Sequence, residues 1–128
     1  MEYGYMKVNV RTAGGSLPVE GAIVKILSTK EAASDVLYTL YTNASGVTER
    51  VSLEAPDRAL SESPGNQNVY AKYNLIIQKD GYYRVEDYDA PVFSGITSIQ
   101  NTELIPLPEG TKNGDEYMQF FENREYDL

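Results

Sequence analysis

Apolar and polar residues alternate from residue 6 to residue 10, with Met6, Val8 and Val10 set against Lys7 and Asn9. That two-residue period marks a strand with one face in a core and the other in water. After a turn at Ala13-Gly14-Gly15-Ser16, the run Pro18-Val19-Glu20-Gly21 leads into Ala22, Val24 and Ile26, which share one face of a second strand. The second strand is expected to pair with the first. Residues 36–42 are dense in β-branched and aromatic side chains and predict a third. Asn43-Ala44-Ser45-Gly46 has the chemistry of a tight turn, which predicts a hairpin into a fourth strand facing inward at Val47, Val51 and Leu53.

Residues 54–68 hold Pro56, Pro64, a glycine, two asparagines and two serines, so the longest loop is expected there. Tyr73, Leu75 and Ile77 then alternate with polar and apolar neighbours in a fifth strand over 69–79, ending at the Asp80-Gly81 turn. A sixth strand over 82–92 should break near Ala90-Pro91, because proline donates nothing to a ladder. Ser94-Gly95 turns the chain into a seventh strand over 97–107, stopped by Pro106 and Pro108. Seven short strands without a helical period predict an all-β fold, a seven-stranded antiparallel Greek-key β-sandwich.

A chain of 128 residues supplies one core and not two. The expected division is a sandwich over 1–108 and an acidic, aromatic tail over 109–128. In that tail Glu109, Asp115, Glu116, Glu122, Glu125 and Asp127 stand against Lys112 and Arg124, so it holds half of the net charge of −8. It also holds Tyr117, Met118, Phe120, Phe121, Tyr126 and Leu128, more large apolar groups than a solvated tail needs. These six are the candidate partner-binding residues, docking on their own sandwich, on a second copy or on another protein.

The segments Pro18-Val19-Glu20-Gly21-Ala22, Thr42-Asn43-Ala44-Ser45-Gly46 and Tyr73-Asn74-Leu75-Ile76-Ile77-Gln78-Lys79-Asp80-Gly81-Tyr82 together resemble the carboxypeptidase regulatory-like family. The likeness runs from about residue 6 to residue 107, with Asn43 where the family pattern carries Asp. It implies a transthyretin/prealbumin-like sandwich, related to Cna B-type domains, of the kind that serves as an accessory module. The stretch from Gly81-Tyr82-Tyr83 through Ala90-Pro91-Val92-Phe93 to Leu107-Pro108-Glu109-Gly110 is similar to a domain of Firmicute spore-cortex-lytic and peptidoglycan-binding proteins.

Chemistry is narrowed by what is missing. With no histidine and no cysteine, the chain lacks the usual general base, the thiol nucleophile and the ordinary zinc ligands. No enzyme activity, no cofactor and no metal are expected. Glu86, Asp87 and Asp89 could in principle form a carboxylate pair or a calcium site, but read more simply as a solvated acidic strand edge. Relatives in the Cna B class can join a lysine to an asparagine, which directs attention to Lys7, Asn101 and Glu103. Alternation puts Lys7 on the water face, where its amine keeps its charge and does not react. Asn43-Ala44-Ser45 matches a glycosylation acceptor that the turn already explains.

The acidic balance opposes nucleic acid and anionic membranes. No apolar run is long enough to span a bilayer, and Met1-Glu2-Tyr3-Gly4-Tyr5 lacks the features of a signal peptide. Synthesis in the cytoplasm is expected, with incorporation into a spore, envelope or phage-like structure. Tyrosine is abundant, 11 residues against no tryptophan. Packing accounts for most of them, while Tyr82, Tyr83 and Tyr88 are the candidate ligand-binding strip. The expected role is a binding or assembly module that contacts protein partners or copies of itself, with a peptidoglycan-binding accessory module as the alternative.

Overall fold

The computed structural model describes residues 2–29, 35–56 and 70–108, together with the backbone of 118–122. Nine strands run in chain order: β1 (Glu2–Thr12), β2 (Leu17–Pro18), β3 (Ile23–Ser28), β4 (Val36–Tyr41), β5 (Val51–Ala55), β6 (Tyr70–Gln78), β7 (Arg84–Phe93), β8 (Thr97–Glu103) and β9 (Met118–Glu122). No helix occurs among the described residues. One sheet is organised on β1, which carries β2 and β5 on one side and β8 on the other; the second has the order β4-β3-β6-β7-β9. The all-β sandwich is therefore present. Among the described residues its strands number nine rather than seven, and β1–β8 and β7–β9 are parallel pairs rather than antiparallel ones.

The alternation in the sequence sets the core. Met6, Val8 and Val10 from one sheet meet Val24, Ile26, Leu75, Ile77, Val85 and Val92 from the other, all fully buried in one cluster. Burying a side chain of this size is worth about 1.5–3 kcal/mol. Three buried threonines are paired: Thr48 Oγ1 accepts from Val8 N–H, Thr42 Oγ1 accepts from Ala22 N–H and donates to Val19 O, and Thr12 Oγ1 donates to Leu104 O. In the fourth strand region it is Thr48, and not Val47, that turns fully inward.

Two expected hairpins are sheet-to-sheet crossings. The first and second predicted strands lie in different sheets, because β2 takes the place beside β1 (Arg11↔Pro18) and the chain crosses before β3. The turn at Asn43 forms as its chemistry requires, with Asn43 Oδ1 accepting from Ser45 and Val47 N–H, yet it joins β4 of one sheet to β5 of the other. The sixth strand does not break at Ala90-Pro91. Proline is tolerated there because it lies beyond the stretch of β7 that β9 covers, so its missing N–H faces no partner strand among the described residues.

The irregularity falls earlier. Tyr73 pairs with Ala90 but Leu75 pairs with Asp87, so Asn74 opposes both Tyr88 and Asp89 in a bulge. Asp89 takes φ 61°, and Asn74 Oδ1 accepts its N–H. The extra residue shifts the phase of β7, with Val85 and Asp87 buried before it and Ala90 and Val92 after it. Asp87 is thus buried in a strand flanked by β6 and β9, which corrects the expectation of a solvated acidic edge.

Candidate functional site

Strand β5 uses one edge to pair with β1, in the register Tyr5↔Ser52 and Tyr3↔Glu54. Carbonyls two residues apart on a strand point to the same edge. Those of Ser52 and Glu54 accept hydrogen bonds from Tyr38 of β4 (2.8 Å) and Tyr73 of β6 (2.7 Å). Two phenols thus span the open side of the sandwich and close a strand edge that no further strand covers among the described residues. Around them lies a cleft of about 570 Å³ whose lining includes Tyr3, Leu37, Pro56, Ala71 and Lys72.

The cleft favours contact over proton transfer. Tyr73 is buried, and its phenol is held above the ordinary value by that burial first, then by the charge of Glu54 and by Tyr38. It stays protonated, as the bond to Glu54 O requires, and is no base at neutral pH. A group whose folded pKa is raised contributes stability that is complete below the unfolded value of 10.0 and is lost as pH rises through the folded one. Tyr73→Phe is expected to cost about 1 kcal/mol at neutral pH. It should also flatten the loss of stability as pH rises above the ordinary tyrosine value of 10.0, measured by urea denaturation at each pH. An alkaline limb identical in parent and variant would mean that another group controls it.

The three tyrosines of the predicted ligand strip fill different environments. Tyr82 packs partly against the core and bridges Pro106, and Tyr83 N–H donates to Ile105 O. The Tyr88 hydroxyl donates to Glu86 Oε1 at 2.7 Å, a bond that raises the phenol pKa. Glu86 also stands 3.8 Å from Arg84 Nη2. Among the described residues no three acidic side chains gather as a metal site. Lys7 lies opposite Ile99 in the β1–β8 register, while Asn101 Oδ1 accepts from Asn9 Nδ2, so the lysine and asparagine singled out for a crosslink occupy separate rungs.

Of the six tail residues, Met118, Phe120 and Phe121 lie in β9, at register positions opposite Arg84, Glu86 and Asp87. Tyr117, Tyr126 and Leu128 lie outside the described residues, as does most of the loop expected over 54–68; Glu54 and Ala55 belong to β5. Sequence reasoning missed the cleft. Tyr38 shares the phase of buried Leu40 between exposed Thr39 and Tyr41, and that was the available signal.

The fold and the cleft define a β-sandwich domain with a tyrosine-closed edge. No protein-family pattern and no curated protein matches the chain. Among solved structures it is similar to the TIE protein of Bacillus anthracis, at 12% identity and TM-score 0.52, covering 83% of this chain and 17% of that one. It is similar to GBS52, the minor pilin of Streptococcus agalactiae, at 12% identity and TM-score 0.50, covering 86% and 47%. Catechol 1,2-dioxygenase from Acinetobacter sp. ADP1 matches at 12% identity and TM-score 0.57, covering 95% and 58%.

The chain therefore spans less than two thirds of each of these neighbours, and at such identities the likeness is one of fold. It corrects one expectation. That the chain is no enzyme does not stand, because several catechol dioxygenases share this sandwich and the architecture is one on which catalysis is built.

Proposed function

We propose that the chain is a structural or assembly module that meets protein partners or further copies of itself through its sheet edges, the 54–68 region and the 109–128 segment. The observation that carries this is the seating of β9 against β7. A segment at the far end of the chain completes a sheet by adding a strand, and strand addition works equally within a chain or between chains. The pilin GBS52 among the fold neighbours supports a structural role, and the resemblance to carboxypeptidase regulatory-like domains supports an accessory one. Incorporation into a spore, envelope or phage-like structure belongs to this reading.

The test compares the full chain with a version ending at Pro108, by sedimentation velocity and by capture of partners from the source cell. Removing the segment is expected to change self-association or partner capture. A full chain that stays monomeric and captures the same proteins as the shortened one would sink the reading.

A further inference from the structure

Two strand edges adjoin the cleft, and they differ. The β5 edge is closed by the hydroxyls of Tyr38 and Tyr73, whereas β4 pairs, among the described residues, only with β3. Thr42 N–H donates to Ala22 O, so alternation along the antiparallel ladder assigns Leu40 and Tyr38 to hydrogen bonds with β3. The amide and carbonyl of Thr39 and of Tyr41 then face the open edge. Thr39 and Tyr41 are exposed, as are Val36 and Leu37.

Open edges are ordinarily guarded by charge or proline. β4, Val-Leu-Tyr-Thr-Leu-Tyr, has neither, and apart from the two-residue β2 it is the one strand among the described residues without a charged residue. On a chain of net charge −8, β4 itself sets no charged side chain against a second copy.

We propose that β4 is a self-association edge, at which two copies pair their β4 strands antiparallel about a twofold axis through Thr39. This deepens the assembly reading by naming the partner and the strand. Residues directly opposite in a sheet share a face, so the register must join residues of like phase. Centring on Thr39 does this. It sets Thr39 against Thr39 in a pair exchanging both backbone hydrogen bonds, and Tyr38 against Leu40 on the inner face. The bulge that leaves Leu37 without a β3 partner ends the regular stretch. So short an interface makes a weak dimer.

The experiment is sedimentation velocity of the full chain over a concentration series, beside Thr39→Lys and Thr39→Glu. Each substitution puts two like charges directly opposite one another. Lysine makes the net charge of −8 less negative and glutamate makes it more negative, so a general charge effect would move the two variants in opposite directions. The proposal expects both to remain monomeric, with unchanged circular dichroism. It also expects Thr39→Cys chains to form disulfide-linked dimers under oxidised glutathione, since opposed strand residues lie within bridging distance and the natural chain has no cysteine to compete. Ile99→Cys on β8, also exposed, should not.

A parent chain that is monomeric throughout, or self-association that survives both charged variants, would overturn the β4 edge. If association persists in them but disappears in the version ending at Pro108, the interface is the C-terminal segment, and the assembly reading stands without β4. If a Thr39 variant fails to fold, the cysteine crosslink decides.

Discussion

Gly4→Ala is expected to lower the thermal midpoint by about 10 °C, an effect of about 3 kcal/mol. Gly4 lies on the inward face of β1 where β7 leaves its own sheet, turns at Ser94-Gly95 and enters β8. The corner is held by Gly95 N–H donating to Tyr3 O and Tyr5 N–H donating to Ile96 O. A Cβ on residue 4 would run into the Phe93 carbonyl oxygen and come within 2.6 Å of Val92 Cγ1. Backbone cannot step aside as a long side chain can, so the strands must separate and the corner bonds stretch. Urea denaturation with an unchanged slope and a shifted midpoint would report this as stability alone. A variant within about 0.5 kcal/mol of the parent would show that the corner yields freely.

Gly46→Ala should cost nearly as much, about 2–3 kcal/mol, from two sources. Gly46 has φ 78°, where any residue with a Cβ is strained. The added carbon would also stand 2.5 Å from Val10 O and 3.1 Å from both Pro18 Cβ and Val19 N. Those atoms belong to the join of β1 and β2, where Gly46 O accepts from Val10 N–H. The loss should therefore exceed that of Gly81→Ala, whose φ of 88° is similar but whose Cβ would meet nothing within 4 Å. Equal losses in the two variants would leave backbone strain as the whole cause.

These two glycines show where the sequence was readable. Gly46 sits in a turn motif whose Asx and glycine chemistry is local, and local chemistry can be read from neighbours in the chain. Gly4 is needed because of Phe93, a residue distant in sequence, and nothing beside it announces that. The same division holds for the strands. Alternation identified Met6, Val8, Val10, Val24, Ile26, Leu75 and Ile77 as core, and all are buried. It was silent on which sheet each strand joins, so sequence neighbours were paired that β2 and the Asn43 turn in fact separate.

The sites were less legible for a similar reason. A tyrosine in a strand looks the same whether its hydroxyl meets water or a carbonyl of the other sheet, and Tyr38 and Tyr73 became a site only when Ser52 and Glu54 were brought to them. The bulge at Asp89 inverts the phase of half of β7, so period alone could not place Glu86, Asp87 and Tyr88.

The parallel pairing of β1 with β8 bears on how the domain comes together. β1 is the organising strand of its sheet, yet the rung Asn9–Asn101 joins residues 92 positions apart. Loop closure over that distance must precede the reward of pairing, which places the domain among slow, high-contact-order folders. Until β8 arrives, that flank of β1 waits as an unpaired template during synthesis. The alternating Lys7, Asn9 and Arg11 along it give the waiting strand one face that water can hold.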